Sequence, residues 1–288
     1  MEHPDFLPLA RYGALRDPRP VEGPWEGLWA SGTLDGLQGP TVAIVGTRAA
    51  TPYGAGLATA FGRELGRAGC CILSGLALGI DAAAHRGALA AGAATIGVLG
   101  GGHRRFFPRR NERLAREMIG AGGAVLSPFA PDADCYPANF LERNGVVAAL
   151  SDAVVVVEAP SRSGALNTAG WAAGRIPVLA VPGDVDRPHV QGCLALIRDG
   201  AILARSPDDV LEVLGIAGCG RKARRRPPRD PLARALLARL AEGDASLDAL
   251  VAATGAAVGE IFAALSLLEI DGRIASLPGG AYATVERP

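Results

Sequence analysis

From residue 41 onward the chain repeats one unit, an apolar run of strand length followed by a segment long enough for a helix. The runs fall at 41–45, 70–73, 95–99, 123–126, 153–157, 177–181 and 201–204. That beat predicts an α/β fold built on a doubly wound, mostly parallel sheet. The stretch 153–159, AVVVVEA, is unbroken rather than alternating, which predicts a central strand covered by helices on both faces. In such a sheet ligands lie beyond the carboxyl ends of the strands, so the residues directly after each run are the ones to read for chemistry.

After the first run come Gly46, Thr47 and Arg48, followed by Pro52, Tyr53, Gly54 and Gly56. This is neither a G-x-G-x-x-G dinucleotide loop nor a phosphate loop ending in Gly-Lys-Ser/Thr. The second run leads into Ser74, Gly75, Gly79, Asp81 and His85, and the third into Gly100–Gly102 and Arg104, with Arg109 and Arg110 close behind. Phe140, Arg143 and Asn144 follow the fourth, and Ser163, Gly164 and Thr168 the fifth. The glycines let a ligand approach the backbone, and the helix starts expected at Ile80 and Ala165 would turn free N–H groups toward an anion. Together these loops predict an anionic-ligand groove.

Formal net charge is zero, which excludes a global positive field as the basis of nucleic-acid binding and requires any such binding to be local. Lys222 is the single lysine, so nearly every cation is a guanidinium, the group suited to bidentate phosphate contacts; genome composition accounts for that bias equally well. Two stretches concentrate the charge: 103–116, with six arginines against Glu112, and 220–230, with six basic residues against Asp230. Cys70, Cys71, Cys135, Cys193 and Cys219 form no C-x-x-C pair, which reads as reduced thiols buried as small hydrophobes, with no metal site. Residues 1–20 lack an apolar signal core, and no apolar run approaches the roughly 20 residues that span a bilayer. A cytoplasmic protein without a membrane partner is expected.

The segments VAIVGTR…PYG, SGLALGIDAAAHRGAL, FLERN, SDAVVVVEA, SRSGALNT and VPGD…QGCLALIRDGA, in this order and spacing from about residue 25 to 215, resemble the DNA-processing protein A (DprA, or Smf) family. The resemblance implies an extended Rossmann-like domain over 41–215 that binds single-stranded DNA without catalysis or cofactor and forms a homodimer. It also implies loading of RecA recombinase onto incoming strands during natural transformation. Residues 1–40 then form a lead-in, of which GLWASGTL (27–34) resembles the family's own, without the helical domain that often precedes it. Two positions depart from the pattern: Pro128 follows Ser127 where the family often has Glu, and Gly145 stands where it commonly has the second arginine of Arg-Asn-Arg. That leaves one phosphate contact missing, or supplied by Arg104, Arg109 or Arg110.

Each candidate has a plainer alternative. Arg48 is either a phosphate contact, favoured by its place at a strand's carboxyl end, or a surface arginine. Phe140 anchors the next helix in the core or, as the family implies, stacks on bases. Ser163, Gly164 and Thr168 cap a helix or contact DNA. Asp81 is expected to orient its loop, since a carboxylate facing phosphate repels it, and His85, four residues on, to hydrogen-bond Asp81.

Residues 216–230 read as a solvated basic linker. Residues 231–288 then read as a winged helix: three helices, the second capped by Ser246, and a two-stranded wing near 274–285. The third helix carries Glu260 and Glu269 and no basic residue, so it suits protein contact better than a DNA major groove. The competing assignment is a nucleotide-handling Rossmann enzyme, such as a LOG-type phosphoribohydrolase. SRSGALNT lacks that family's double-glycine phosphate loop, and Glu158 has no acidic companion. A winged-helix transcription regulator with a sensor domain is a third assignment, disfavoured by the acidic third helix.

Overall fold

The computed structural model describes residues 4–8, 25–216, 228, 230–270, 273–277 and 280–284. The chain divides into two compact units, 1–220 and 221–288. Most of the basic linker, with Lys222 and Cys219, lies outside the described residues.

In the first unit, β1 (Asp5–Pro8) and β2 (Gly27–Gly32) precede β3 (Thr41–Val45), α1 (Pro52–Arg67), β4 (Cys71–Ser74), α2 (Ile80–Ala90) and β5 (Thr95–Val98). Then follow α3 (Glu112–Gly120), β6 (Ala124–Ser127), α4 (Pro137–Ala149), β7 (Ala153–Val156), α5 (Gly164–Ala172), β8 (Val178–Ala180), α6 (Gln191–Arg198), β9 (Ile202–Leu203) and α7 (Pro207–Val213). The sheet order is β1-β2-β6-β5-β4-β3-β7-β8-β9. From β6 to β9 every pairing is parallel, with β3 and β7 in the register Val42–Ala153 to Val45–Val156. The α/β class and the doubly wound sheet are those the apolar beat predicts.

Every residue of β3 and β7 is buried, as a central strand requires. Val42 and Ile44 join one core layer with Phe61 and Leu65 of α1 and Ala84 of α2. Ala43 and Val45 face the opposite layer, with Val146 and Val147 of α4 and Ala169 of α5. Each fully buried Val or Ile contributes about 1.5–3 kcal/mol, so this two-sided burial fixes where β3 ends, and with it where the next loop begins.

The stretch read as a lead-in adds strands to this sheet. β2 lies antiparallel against β6, from Trp29–Ser127 to Gly32–Ala124, and β1 pairs antiparallel with β2. Leu28 and Ala30 alternate into the core beside Trp25. Too short to stand out by periodicity, β2 is fixed by the edge of β6 that it covers.

The second unit holds α8 (Pro231–Ala241), β10 (Ala245–Ser246), α9 (Leu247–Thr254), α10 (Val258–Ile270), β11 (Ile274–Leu277) and β12 (Ala281–Thr284). β11 and β12 form the wing, and β10 adds a third strand in the order β10-β12-β11. Asp230 caps α8 through the amides of Leu232 and Ala233, and Ser246 caps α9 through Ala249. Leu236, Leu250, Ile261 and Leu265 fill the unit's own core. Among the described residues, no single helix is long and apolar enough to cross a membrane.

Candidate nucleic-acid interface

The direction of the sheet reverses at β3: β4, β5 and β6 stack to one side, β7, β8 and β9 to the other. A crevice at the carboxyl ends is expected at such a point. A cavity of 640 Å³ lies there, lined by the loops after β3, β4 and β7 and by one face of α4. It brings together Gly46, Arg48, Gly75, Phe140, Arg143, Asn144, Ser163, Gly164 and Thr168.

Gly46 starts the turn because a Cβ there would stand 2.6 Å from the Ile80 side chain and 2.8 Å from the Glu158 carbonyl oxygen. The Thr47 carbonyl then accepts the Ile80 N–H at 3.2 Å. That bond uses the amide expected to face an anion from α2, so this helix start serves the loop instead. Arg48 is exposed, has no ion-pair partner among the described residues, and holds its guanidinium carbon 5.2 Å from the centroid of the Phe140 ring. Neither Asp81 nor Glu158 pairs with it.

Phe140 rides over Gly100, where a Cβ would strike the ring at 2.6 Å, and meets Phe107 edge-on at 6.0 Å and 62°. Phe107 is 50% exposed and lines the same cavity. The sequence signal for it is the aromatic pair Phe106–Phe107, separated by three residues from the glycines 100–102.

Arg143 differs from Arg48 in kind. It is 4% exposed and donates Nη1–H to the carbonyls of Gly75 and Val98, under the Phe140 ring at 5.8 Å. Its guanidinium occupies the space a Cβ on Gly75 would need. Burial pushes its pKa down to about 10, with Asp81 pulling upward and Arg48 pushing further down, so it stays a cation at neutral pH. Asp81 accepts the amides of Gly75 at 3.0 Å and Ala77 at 3.3 Å, and orients its loop as expected. Burial raises the Asp81 pKa, opposed by the Arg143 charge and by those hydrogen bonds. Buried together, Arg143 and Asp81 form part of the floor of the cavity.

His85 does not pair with Asp81. Its Nδ1 lies 2.7 Å from Thr95 Oγ1, whose proton goes to the Ile72 carbonyl, so Nδ1 donates and Nε2 stays a bare, buried acceptor. Burial lowers its pKa to about 3, helped by the charges of Arg143 and Arg86.

Asn144 ties α4 to α5 by donating to the Gly164 carbonyl at 3.1 Å and to Asn167 Oδ1 at 3.2 Å. Ser163 caps α5 by accepting the Ala165 N–H at 3.3 Å. The Thr168 side chain, buried at the cavity wall, has no hydrogen-bond partner among the described residues. Gly145 faces away: an added Cβ would meet the Trp25 ring at 2.9 Å and the Trp171 ring at 3.0 Å. Of the cysteines, Cys70, Cys71 and Cys193 are buried as expected, whereas Cys135 is half-buried at the cavity wall.

The remaining candidates stand apart from the cavity. Ser74 is fully buried and donates to the Ile44 carbonyl at 2.6 Å. Gly79, at φ +79°, lets its backbone pass close to the carbonyls of Thr47 and Arg48. Arg104 is ion-paired to Asp132 at 2.6 Å. Arg109 and Arg110 are exposed on a 3-10 turn over Arg109–Asn111.

The profile of DNA recombination-mediator protein A matches residues 17–215, and that of the DprA winged helix domain matches 220–280. Protein Smf of Escherichia coli is 37% identical over 263 residues, 88% of this chain and 70% of its own length. DNA processing protein DprA of Streptococcus pneumoniae is 41% identical over 186 residues, 64% of this chain and 65% of that one. The chain thus spans about two thirds of the length of these relatives. The crystal structure of the Streptococcus pneumoniae protein superposes with a TM-score of 0.61 at 39% identity, over 65% of this chain and 66% of that chain. The Helicobacter pylori DNA processing protein A, solved for its single-stranded DNA binding mode, gives a TM-score of 0.63 at 27% identity, over 74% of this chain and 95% of that chain. Matched across both of its units, the chain belongs to the DNA recombination-mediator protein A (DprA/Smf) family.

Proposed function

We propose that the groove at the end of β3 binds single-stranded DNA and leaves it intact. Arg48 grips a phosphate, the Gly164 N–H at the start of α5 and the Thr168 hydroxyl add donors, and bases stack without sequence preference on Phe140 and Phe107. The observation that carries this is Arg48: an exposed guanidinium with no carboxylate partner among the described residues, standing over an aromatic ring at the sheet's switch point. Arg109 and Arg110, exposed two and three residues beyond Phe107, extend the phosphate track past the rim. Among the residues lining the cavity Asp81 is the single carboxylate, and its hydrogen bonds to two amides suit a floor better than acid–base chemistry.

Family membership extends the proposal to delivery of the strand to RecA recombinase during transformation, by a homodimer joined through the first unit. The outer strand β9 supports the dimer, because Ile202 and Leu203 stand 41% and 42% exposed on an unpaired sheet edge. The second unit serves protein contact: α10 exposes Val258, Phe262 and Leu267 on the helix that carries Glu260 and Glu269.

Titration of fluorescent oligo-dT, set against its duplex and against AMP, tests the central statement. Tight single-strand binding at moderate salt without nucleotide turnover is expected. Release of ribose phosphate from AMP would replace this function with that of a phosphoribohydrolase.

A further inference from the structure

Behind the groove, at the end of β7, Glu158 is a carboxylate that is 4% exposed and does not line the cavity. A carboxylate this buried persists only when its oxygens are hydrogen-bonded. Among the described residues its hydrogen-bond partners belong to the loop that carries Arg48. The Glu158 carbonyl accepts the Thr47 N–H at 2.7 Å, and its carboxylate accepts the Thr51 N–H at 3.0 Å and the Thr51 hydroxyl proton. Thr51 Oγ1 in turn accepts the Gly54 N–H at 3.0 Å and so starts α1. Gly54 has no room for a Cβ because the Glu158 carboxylate fills that space. The negative charge also lies at the N-terminus of α1, where the helix dipole favours it.

We propose that Glu158 is a positioning residue for Arg48. One residue holds the loop 47–51 at both ends, by its main chain at Thr47 and by its side chain at Thr51, and Arg48 sits one position inside that clamp. Held so, the backbone at Arg48 is ordered before any ligand arrives, and binding forgoes the loss of loop freedom it would otherwise entail. With both carboxylate oxygens engaged by Thr51, Glu158 is withdrawn from the acid or base role it would have in a nucleotide hydrolase. The ligand half of this inference rests on the single-strand assignment of the groove; the clamp half does not.

The test therefore has two arms on the full chain. In the first, oligo-dT affinity is measured against salt for the unmutated chain, Arg48→Ala, Glu158→Ala, Glu158→Gln and the double variant Arg48→Ala/Glu158→Ala. Losing one phosphate contact lowers the slope by about 0.7 for single strands. Glu158→Ala is expected to lower it as Arg48→Ala does, the double variant no further, and Glu158→Gln less, since its amide keeps one acceptor oxygen. A slope in Glu158→Ala equal to the unmutated value, or a double variant that adds the two losses, would overturn the proposal. In the second arm, without DNA, amide exchange at Thr51 should quicken in Glu158→Ala, while Thr47, held by the Glu158 main chain, and the amides of β3 stay better protected; unchanged exchange at Thr51 would also overturn it. If Glu158→Ala fails to fold, Thr51→Val breaks the clamp from the loop side and is read the same way in both arms. A flat slope in Arg48→Ala refutes the phosphate role of Arg48 and leaves the exchange arm to decide the clamp.

Discussion

Two arginine-bearing regions of the first unit teach opposite lessons. The stretch 103–116 has six arginines, and four are matched to carboxylates: Arg104 to Asp132, Arg105 to Asp134, Arg113 to Glu117 and Arg116 to Glu112. The loop after β3 has a single arginine, and it stands over an aromatic ring with no ion-pair partner among the described residues. Density of basic residues therefore does not locate the groove. What distinguishes Arg48 is its position at a switch point, together with a loop tied so that no carboxylate reaches the guanidinium.

Acid gives the widest separation between the buried interior of the first unit and the rim of the groove. The His85 pKa is lowered from 6.5 to about 3, so between those values the unfolded chain takes up a proton that the folded one refuses. Its contribution to stability is complete above pH 6.5 and is lost as pH falls toward 3. Asp81, shifted up, acts in the opposite direction and favours the fold as pH falls through its own range. Thermal unfolding followed from pH 7 to pH 4 should show a steeper loss in the unmutated chain than in His85→Leu. An identical profile in the two proteins would mean that His85 does not carry the acid sensitivity.

Phe140→Ala is the next largest change. Stacking contributes about 1–3 kcal/mol per base, so oligo-dT affinity should weaken about 5- to 150-fold, equally for all sequences. Unaltered affinity would return Phe140 to the role of a helix anchor. Arg48→Ala should lower the salt slope by about 0.7. Arg104→Ala is predicted to be nearly silent, because its exposed pair with Asp132 contributes at most about 1 kcal/mol to stability and stands outside the cavity. A slope change in Arg104→Ala as large as that in Arg48→Ala would erase the distinction between the two regions.

The sequence is legible where local pattern and tertiary structure agree. The run Val42–Val45 reads as a central strand because both faces of the sheet are covered, and Ser163 and Ser246 read as caps because they cap. It is illegible where a distant partner decides. His85 stands four residues after Asp81, the spacing of a helical pair, yet Thr95 of the neighbouring strand takes it. Arg143 and Asn144 are adjacent in a motif that suggests two ligand contacts, but helix geometry turns the first beneath the loop of Gly75 and the second toward α5. Glu158 reads as the end of a strand, and its work is seen only when the loop of Thr51 folds back over it.

The packing against Gly145 has an optical consequence. Trp25 and Trp171, 6.1 Å apart, lie against the back of the helix whose front carries Phe140 and Arg143. The third tryptophan, Trp29, is in β2, and residues 221–288 contain none. Intrinsic emission excited at the indole band thus reports on the first unit alone, and two of its three fluorophores watch the groove's helix from behind, unlabelled and out of reach of the ligand.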